Sequence, residues 1–174
     1  SGGSADKHGA EGDMEIRRTQ MRDLESVMAL YDAARAFMYQ SGNPNQWGQG
    51  YPSRTLITWE IEQGYSFVCT EGEAIAAVFS LIMGKEPTYA TICDGAWRND
   101  APYGTVHRIC VARHGSGVGA FCLDWCLHHC GNVRIDTHRD NQPMQTLLKK
   151  CGFAYCGRIF LADGSERIAF QKTL

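Results

Sequence analysis

The chain has 174 residues, 44% hydrophobic and 21% charged, which suits one globular domain with a sizeable core. Its 17 basic and 19 acidic side chains leave a net charge of −2, which gives no electrostatic footprint for nucleic acid or an anionic membrane surface. No apolar run approaches the roughly 18 to 20 residues needed to span a bilayer, and the start lacks an apolar signal-peptide core, so a cytoplasmic protein is expected.

Residues 1–13 are small, polar and without periodicity, and read as a flexible tail of the kind an expression vector leaves, ahead of one domain over 14–174. Glu15 to Arg18 predicts a short strand. Thr19 then offers a cap for a helix carrying Leu24, Val27, Met28, Tyr31, Ala34 and Met38 at helical spacing. Residues 39–52 are turn formers, amides and aromatics that cannot propagate it. A loop this long inside a compact domain is usually functional. Its Trp47 and Tyr51 are candidates for contact with a ligand, or equally for closing the core.

Ser53 caps a second helix reaching Gln63. Tyr65–Thr70 and Ala74–Met83 form a hairpin around Glu71-Gly72-Glu73, and Thr88–Cys93 suggests a further strand. A polar loop over 94–102 leads to a buried strand, Thr105–Val111. A glycine turn follows, then a helix from Gly117 with Val118, Phe121, Cys122, Trp125 and Cys126 on its apolar positions, stopping near Gly131. Val133–Thr137 is the next strand, Asn141–Lys150 a helix, Gly152-Phe153 a turn, and Ala154–Leu161 with Arg167–Lys172 a closing antiparallel pair. One strand-helix-strand crossover in a mostly antiparallel sheet predicts an α+β layered domain.

The glycine turn is the sharpest motif. In His114-Gly115-Ser116-Gly117-Val118-Gly119, three glycines permit positive φ and let a ligand approach the backbone. The helix that starts there offers unpaired N–H groups and the positive end of its dipole, so a phosphate is favoured. A P-loop is excluded because no Gly-Lys-Ser/Thr follows, and the dinucleotide fingerprint because its Gly-x-Gly-x-x-Gly spacing and early position are absent.

The stretch from Val106 to Gly119 resembles the acyl-CoA motif of the GNAT acetyltransferase superfamily. Arg134-Ile135-Asp136-Thr137, followed by Asn141, Met144, Leu147 and Lys150-Cys151-Gly152-Phe153, is similar to that family's second cofactor-side motif, and the order of elements over 14–174 matches. The resemblance implies a mixed, mostly antiparallel sheet of six to seven strands flanked by about four helices. It also implies an N-acetyltransferase that moves the acetyl group of acetyl-CoA, its co-substrate, to a primary amine of a small molecule or peptide. Ile109, Cys110 and Val111 would then line the pantetheine arm. Arg113, His114, Gly115, Ser116, Gly117, Val118, Gly119 and Ala120 would wrap the pyrophosphate, and Asn141 and Met144 would complete the cofactor side. Two positions depart from the family pattern. His114 stands where Arg or Gln is usual, and Leu148 where a Tyr often protonates the departing thiolate.

Acetyl transfer needs a neutral amine, and a lysine-like amine is roughly 0.04% neutral at pH 7. His107, on the strand expected beside the thioester, is the first candidate base and His138 the second, each with an alternative structural role. The Val111 N–H would hold the oxyanion, and Tyr155 or Cys151 are candidate proton donors. Trp47, Tyr51, Asp94, Trp97, Asp100 and Tyr103 are expected to line the acceptor pocket. The competing reading is a non-catalytic acyl-CoA-binding or sensing module. No metal is expected. The eight cysteines contain no Cys-x-x-Cys pair, and Cys122 and Cys130 lie two helical turns apart, about 12 Å, too far for one zinc. A homodimer is left open.

Overall fold

The computed structural model describes residues 13–174, so residues 1–12 of the expected tail lie outside the described residues. In chain order the elements are β1 (Met14–Arg18), α1 (Leu24–Gln40), α2 (Arg54–Gln63), β2 (Ser66–Glu71), β3 (Ala74–Met83), β4 (Gly104–Val111), α3 (Val118–Cys130), β5 (Asn132–Thr137), α4 (Gln142–Lys150), β6 (Ala154–Phe160) and β7 (Glu166–Thr173). One sheet holds all seven strands in the order β1-β2-β3-β4-β5-β7-β6. Every neighbouring pair is antiparallel except β4 with β5. This is the predicted α+β architecture.

Alternation along the strands divides the apolar residues between the two faces. On one face Phe67, Phe79, Val106, Val133, Ile135 and Phe170 pack against Cys122, Leu123 and Cys126 of α3 and Leu148 of α4. On the other, Val68, Val78 and Cys110 meet Val27 and Tyr31 of α1 and Ile57 and Ile61 of α2. The cysteine stripe of α3 is therefore core, all eight cysteines are free, and no metal-binding cluster occurs among the described residues.

Two local expectations change. Thr19 does not cap α1, because its hydroxyl bonds that of Ser66 at 2.7 Å and Gln20 instead opens a short 3-10 turn. Residues 88–93 form no strand. Pro87 starts a 3-10 turn over Pro87–Tyr89, its fixed φ suiting a helical first position and its missing N–H disqualifying it from a ladder. Only Cys93 bridges to Arg158. Ser53 does cap α2, accepting the Leu56 N–H at 3.1 Å.

Two irregularities in β4 shape the site. First, β4 pairs with β5 only at Gly104–Val133 and Thr105–Arg134; beyond these the parallel strands separate. Second, Ser80 pairs with His107 but Val78 with Cys110, so β4 carries one extra residue there. Such a two-against-one register is a β-bulge. Arg108 lies inside it with φ 52°, a left-handed conformation that an arginine adopts only when its surroundings hold it.

Candidate functional site

A cleft of about 540 Å³ opens where β4 and β5 part. Its walls are β4 from Val106 to Val111, β5 from Ile135 to Thr137, and Asn141, Met144 and Leu147 of the α4 segment. Its roof is Ala34, Phe37 and Met38 of α1 with Gln46, Trp47 and Tyr51 from the long loop. At one end lie His114 and Gly119, and at the other Glu86, Thr88, Leu161, Asp163 and Arg167.

The backbone of β4 is available to a ligand along this gap. Ala112 donates its N–H to Ala76 on the β3 side at 2.8 Å. Amides alternate in direction along a strand, so that of the neighbouring Val111 faces away from β3, into the opening left by β5. At the glycine end, Gly117 caps α3 with φ 83°, and Phe121 is the first residue to donate back into the helix, to Gly117. The amides of residues 118–120 are thus left for an anion. A Cβ on Gly119 would stand 3.0 Å from the Leu147 side chain, which is why the two helices can approach so closely here. Of the residues predicted for the cofactor, Ile109, Cys110, Val111, His114, Gly119, Asn141 and Met144 line the cleft; Arg113, Gly115, Ser116, Gly117, Val118 and Ala120 do not, although they build the turn at its edge.

Both departures from the family pattern have structural consequences. The His114 ring stacks on Phe37 with centroids 3.9 Å apart, tying the glycine turn to α1. Leu148 is fully buried in the core and offers no proton donor. Asn141 caps α4 through Met144 N–H at 3.1 Å and donates to Gln46 at 2.9 Å, so it also pins the roof loop.

The predicted catalytic residues divide. His107 lines the cleft, and burial with the neighbouring Arg108 charge pushes it down to about 4. His138 is not part of the lining; its ring nitrogen lies 3.0 Å from the Asp140 N–H, a turn-closing contact. Tyr155 and Cys151 also lie outside it, Tyr155 half exposed on β6.

Of the six residues predicted for the acceptor pocket, the structure places two in the cleft and four outside it. Trp47 and Tyr51 line the cleft; Asp94, Trp97, Asp100 and Tyr103 do not. Their loop is drawn onto the β5-β7-β6 end of the sheet by Arg134, whose guanidinium is sandwiched between Trp97 and Tyr103 at 4.2 and 4.0 Å. Gly95 presses on β6 so closely that a Cβ would fall 2.0 Å from the Cys156 carbonyl oxygen. Asp94 pairs with Arg158, and Asp100 is exposed.

Several charged residues that the sequence reading passed over converge here instead. Asp136 lines the cleft from β5 and accepts the Tyr89 hydroxyl at 2.6 Å. Burial raises its carboxyl above the usual range, against the opposing effects of that hydrogen bond and the Arg167 charge. Arg108 reaches from the bulge to an ion pair with Glu60 of α2, and donates to the Tyr51 hydroxyl at 2.8 Å. Glu60 is 2% exposed and also accepts from Ser80 at 2.8 Å. Each had a signal: Asp136 and Arg167 interrupt apolar strands, and Glu60 shares the core-facing side of α2 with Ile57 and Ile61. An acid or base on an apolar face announces a buried partner or a site.

No protein-family model matches the chain, and no curated protein does. Solved structures do. A GNAT family acetyltransferase from Streptococcus agalactiae 2603 is 34% identical, with 92% of this chain and 95% of that one covered and a TM-score of 0.85. One from Listeria monocytogenes 4b F2365 is 18% identical, with 92% and 95% covered and a TM-score of 0.68. Arabidopsis thaliana Naa50, in complex with the bisubstrate analogue CoA-Ac-MVNAL, is 13% identical, with 93% and 99% covered and a TM-score of 0.60. The last two share the fold. The first shares sequence as well, over nearly the whole chain, and with it the splayed sheet and glycine turn have their place: this chain belongs to the GNAT family of acetyltransferases.

Proposed function

We propose that the protein transfers the acetyl group of acetyl-CoA directly to a primary amine of a small molecule or peptide. The separation of β4 from β5 after two paired residues carries this reading, because it leaves a slot lined by free β4 amides with an anion-binding helix start at one end. The pyrophosphate would rest on the amides of residues 118–120, and the pantetheine would run along the β4 edge as an added strand does, with the Val111 N–H kept for the thioester oxygen. The likeness in fold to Arabidopsis thaliana Naa50, in complex with the bisubstrate analogue CoA-Ac-MVNAL, supports acetyl-CoA as the donor.

At the far end Glu86, Asp136 and Asp163 outnumber Arg167, since Arg108 is neutralised by Glu60; a cationic amine is attracted there. We assign the base to Asp136. A base works best near the operating pH, and burial moves this carboxyl upward, whereas His107 at about 4 is a weak base and serves as a neutral hydrogen-bonding group. The amine lone pair attacks the thioester carbonyl carbon and Asp136 takes an N–H proton. The Val111 N–H receives the developing oxyanion, and the C–S bond then breaks to release the thiolate. Tyr51 can protonate that thiolate, since its oxygen accepts from Arg108 and its own proton stays free to donate. Cys110 is poorly placed as an acyl carrier. Burial pushes its thiol far up, and its S–H is turned to the Arg108 carbonyl.

Calorimetric titration with acetyl-CoA, followed by thiol release over a panel of primary amines, tests the proposal. Saturable binding and one thiol released per acetylated amine are expected. Binding without release from any amine would favour the non-catalytic acyl-CoA-binding reading, which the burial of Leu148 supports. Absence of binding removes both.

A further inference from the structure

We infer that Arg167 is the anchor for a carboxylate carried by the acceptor, so that the amines acetylated are amino-acid-like. The inference rests on the acetyltransferase reading and names its substrate class. Arg167 lies on β7 and is 6% exposed, yet its guanidinium meets only main-chain oxygens, those of Glu166 and Gln46, each at 2.8 Å. No carboxylate among the described residues stands at ion-pair distance from it, although Asp136 and Asp163 both feel its charge. A buried charge is costly unless paired. Arg108 solves this with Glu60, and Arg134 with two aromatic faces; Arg167 has neither. Arg167 is also one of the residues that line the cleft.

The position suits a counter-ion that arrives with substrate. Asp136 pairs with Ala169 across β5 and β7, so Arg167, two residues before Ala169, is its diagonal neighbour on the same face. Diagonal neighbours have Cβ atoms roughly 7 Å apart, within reach of long side chains. A compact zwitterion bridges such a gap, its carboxylate accepting from Arg167 in the fork geometry that arginine favours and its ammonium donating to Asp136. The amine is thereby delivered to the base. A substrate with no anionic group would leave Arg167 as it stands now, buried and without a counter-ion.

The test measures thiol release from acetyl-CoA with the proteinogenic L-amino acids and with the α-carboxamide of each one accepted. The wild-type protein should lose roughly 10- to 100-fold in kcat/KM on the amides, the equivalent of one charged hydrogen bond. Arg167→Gln should bring that ratio close to one, chiefly through the KM of the amino acid, with the KM for acetyl-CoA unchanged; Arg167→Lys should keep part of the preference. Amides that react as well as the acids in the wild-type protein overturn the inference, whatever the variants do. So does an Arg167→Gln that slows both substrates equally, since that is the mark of a clamp on the Gln46 loop. Release with carboxyl-free amines alone overturns this inference and leaves the acetyltransferase reading standing; acetyl-CoA binding with no release from any amine ends both.

Discussion

Replacing Glu60 by Gln removes one negative charge from a place where almost no water reaches. Glu60 is 2% exposed and the Arg108 side chain 9%, and the pair is completed by the Ser80 hydroxyl. Gln keeps the shape and one acceptor oxygen, so the packing survives and the cost is that of a guanidinium left buried beside a neutral amide. Breaking one side of a buried pair typically costs 3–5 kcal/mol; with an isosteric partner we expect about 3 kcal/mol. For a chain of this length each kcal/mol shifts the melting temperature by about 2–4 °C, so a fall of roughly 6–12 °C should appear in thermal unfolding. Urea titration of Glu60→Gln, Arg108→Gln and the double variant gives the pairwise coupling, and the double loss should fall short of the sum by at least about 1 kcal/mol. A single Glu60→Gln loss under about 1 kcal/mol, with additive behaviour in the cycle, would refute the claim that Glu60 compensates the buried Arg108 charge.

Asp136→Asn should lower kcat/KM by about 10²- to 10⁴-fold and remove the rising limb of the pH profile; an unchanged rate dismisses it as the base. The same variant should melt higher at pH 7–8, because a carboxyl raised by folding binds its proton more tightly in the folded state, and its charge costs stability above that raised value. His107 gives the opposite slope. Folding lowers it from 6.5 to about 4, so the stability it contributes is intact above pH 6.5 and is lost as pH falls through 4, about 3 kcal/mol in all. Denaturant titrations at pH 7 and pH 4 should show that loss in the wild-type protein and a clearly smaller one in His107→Gln; equal losses would show that His107 stays solvated. Gly119→Leu drives a side chain toward Leu147, already 3.0 Å from a bare Cβ, and should cost about 1–3 kcal/mol and weaken acetyl-CoA binding in calorimetry. Wild-type affinity in that variant would place the cofactor elsewhere.

What the sequence made legible was whatever is written locally. The glycine turn, the Ser53 cap, the hairpin at 71–73 and the helical periodicity of α1 and α3 each depend on residues close in the chain, and each appears in the structure. Sites built across the sheet were harder to see. Arg108 and Glu60 are 48 residues apart and meet only because a bulge re-aims one toward the other. The loop at 94–103 carries acids and aromatics suited to an amine pocket, but their target was Arg134, a residue whose pull shows only once β5 lies beneath the loop. Asp136 interrupts an apolar strand, which marks it as an acid with a buried partner or a site, but which of the two shows only once the separation of β4 from β5 exposes it to the cleft.

Backbone amide spectra of nitrogen-labelled protein, recorded as acetyl-CoA is added, examine the splayed-sheet cleft itself. The largest shifts should fall on Ile109 and Val111 and on residues 114–120, saturating together with one affinity, while the outer surface around Arg139, Lys149 and Arg158 stays still. Shifts confined to that outer surface, or none at millimolar acetyl-CoA, would contradict the account of how this protein holds its acetyl donor.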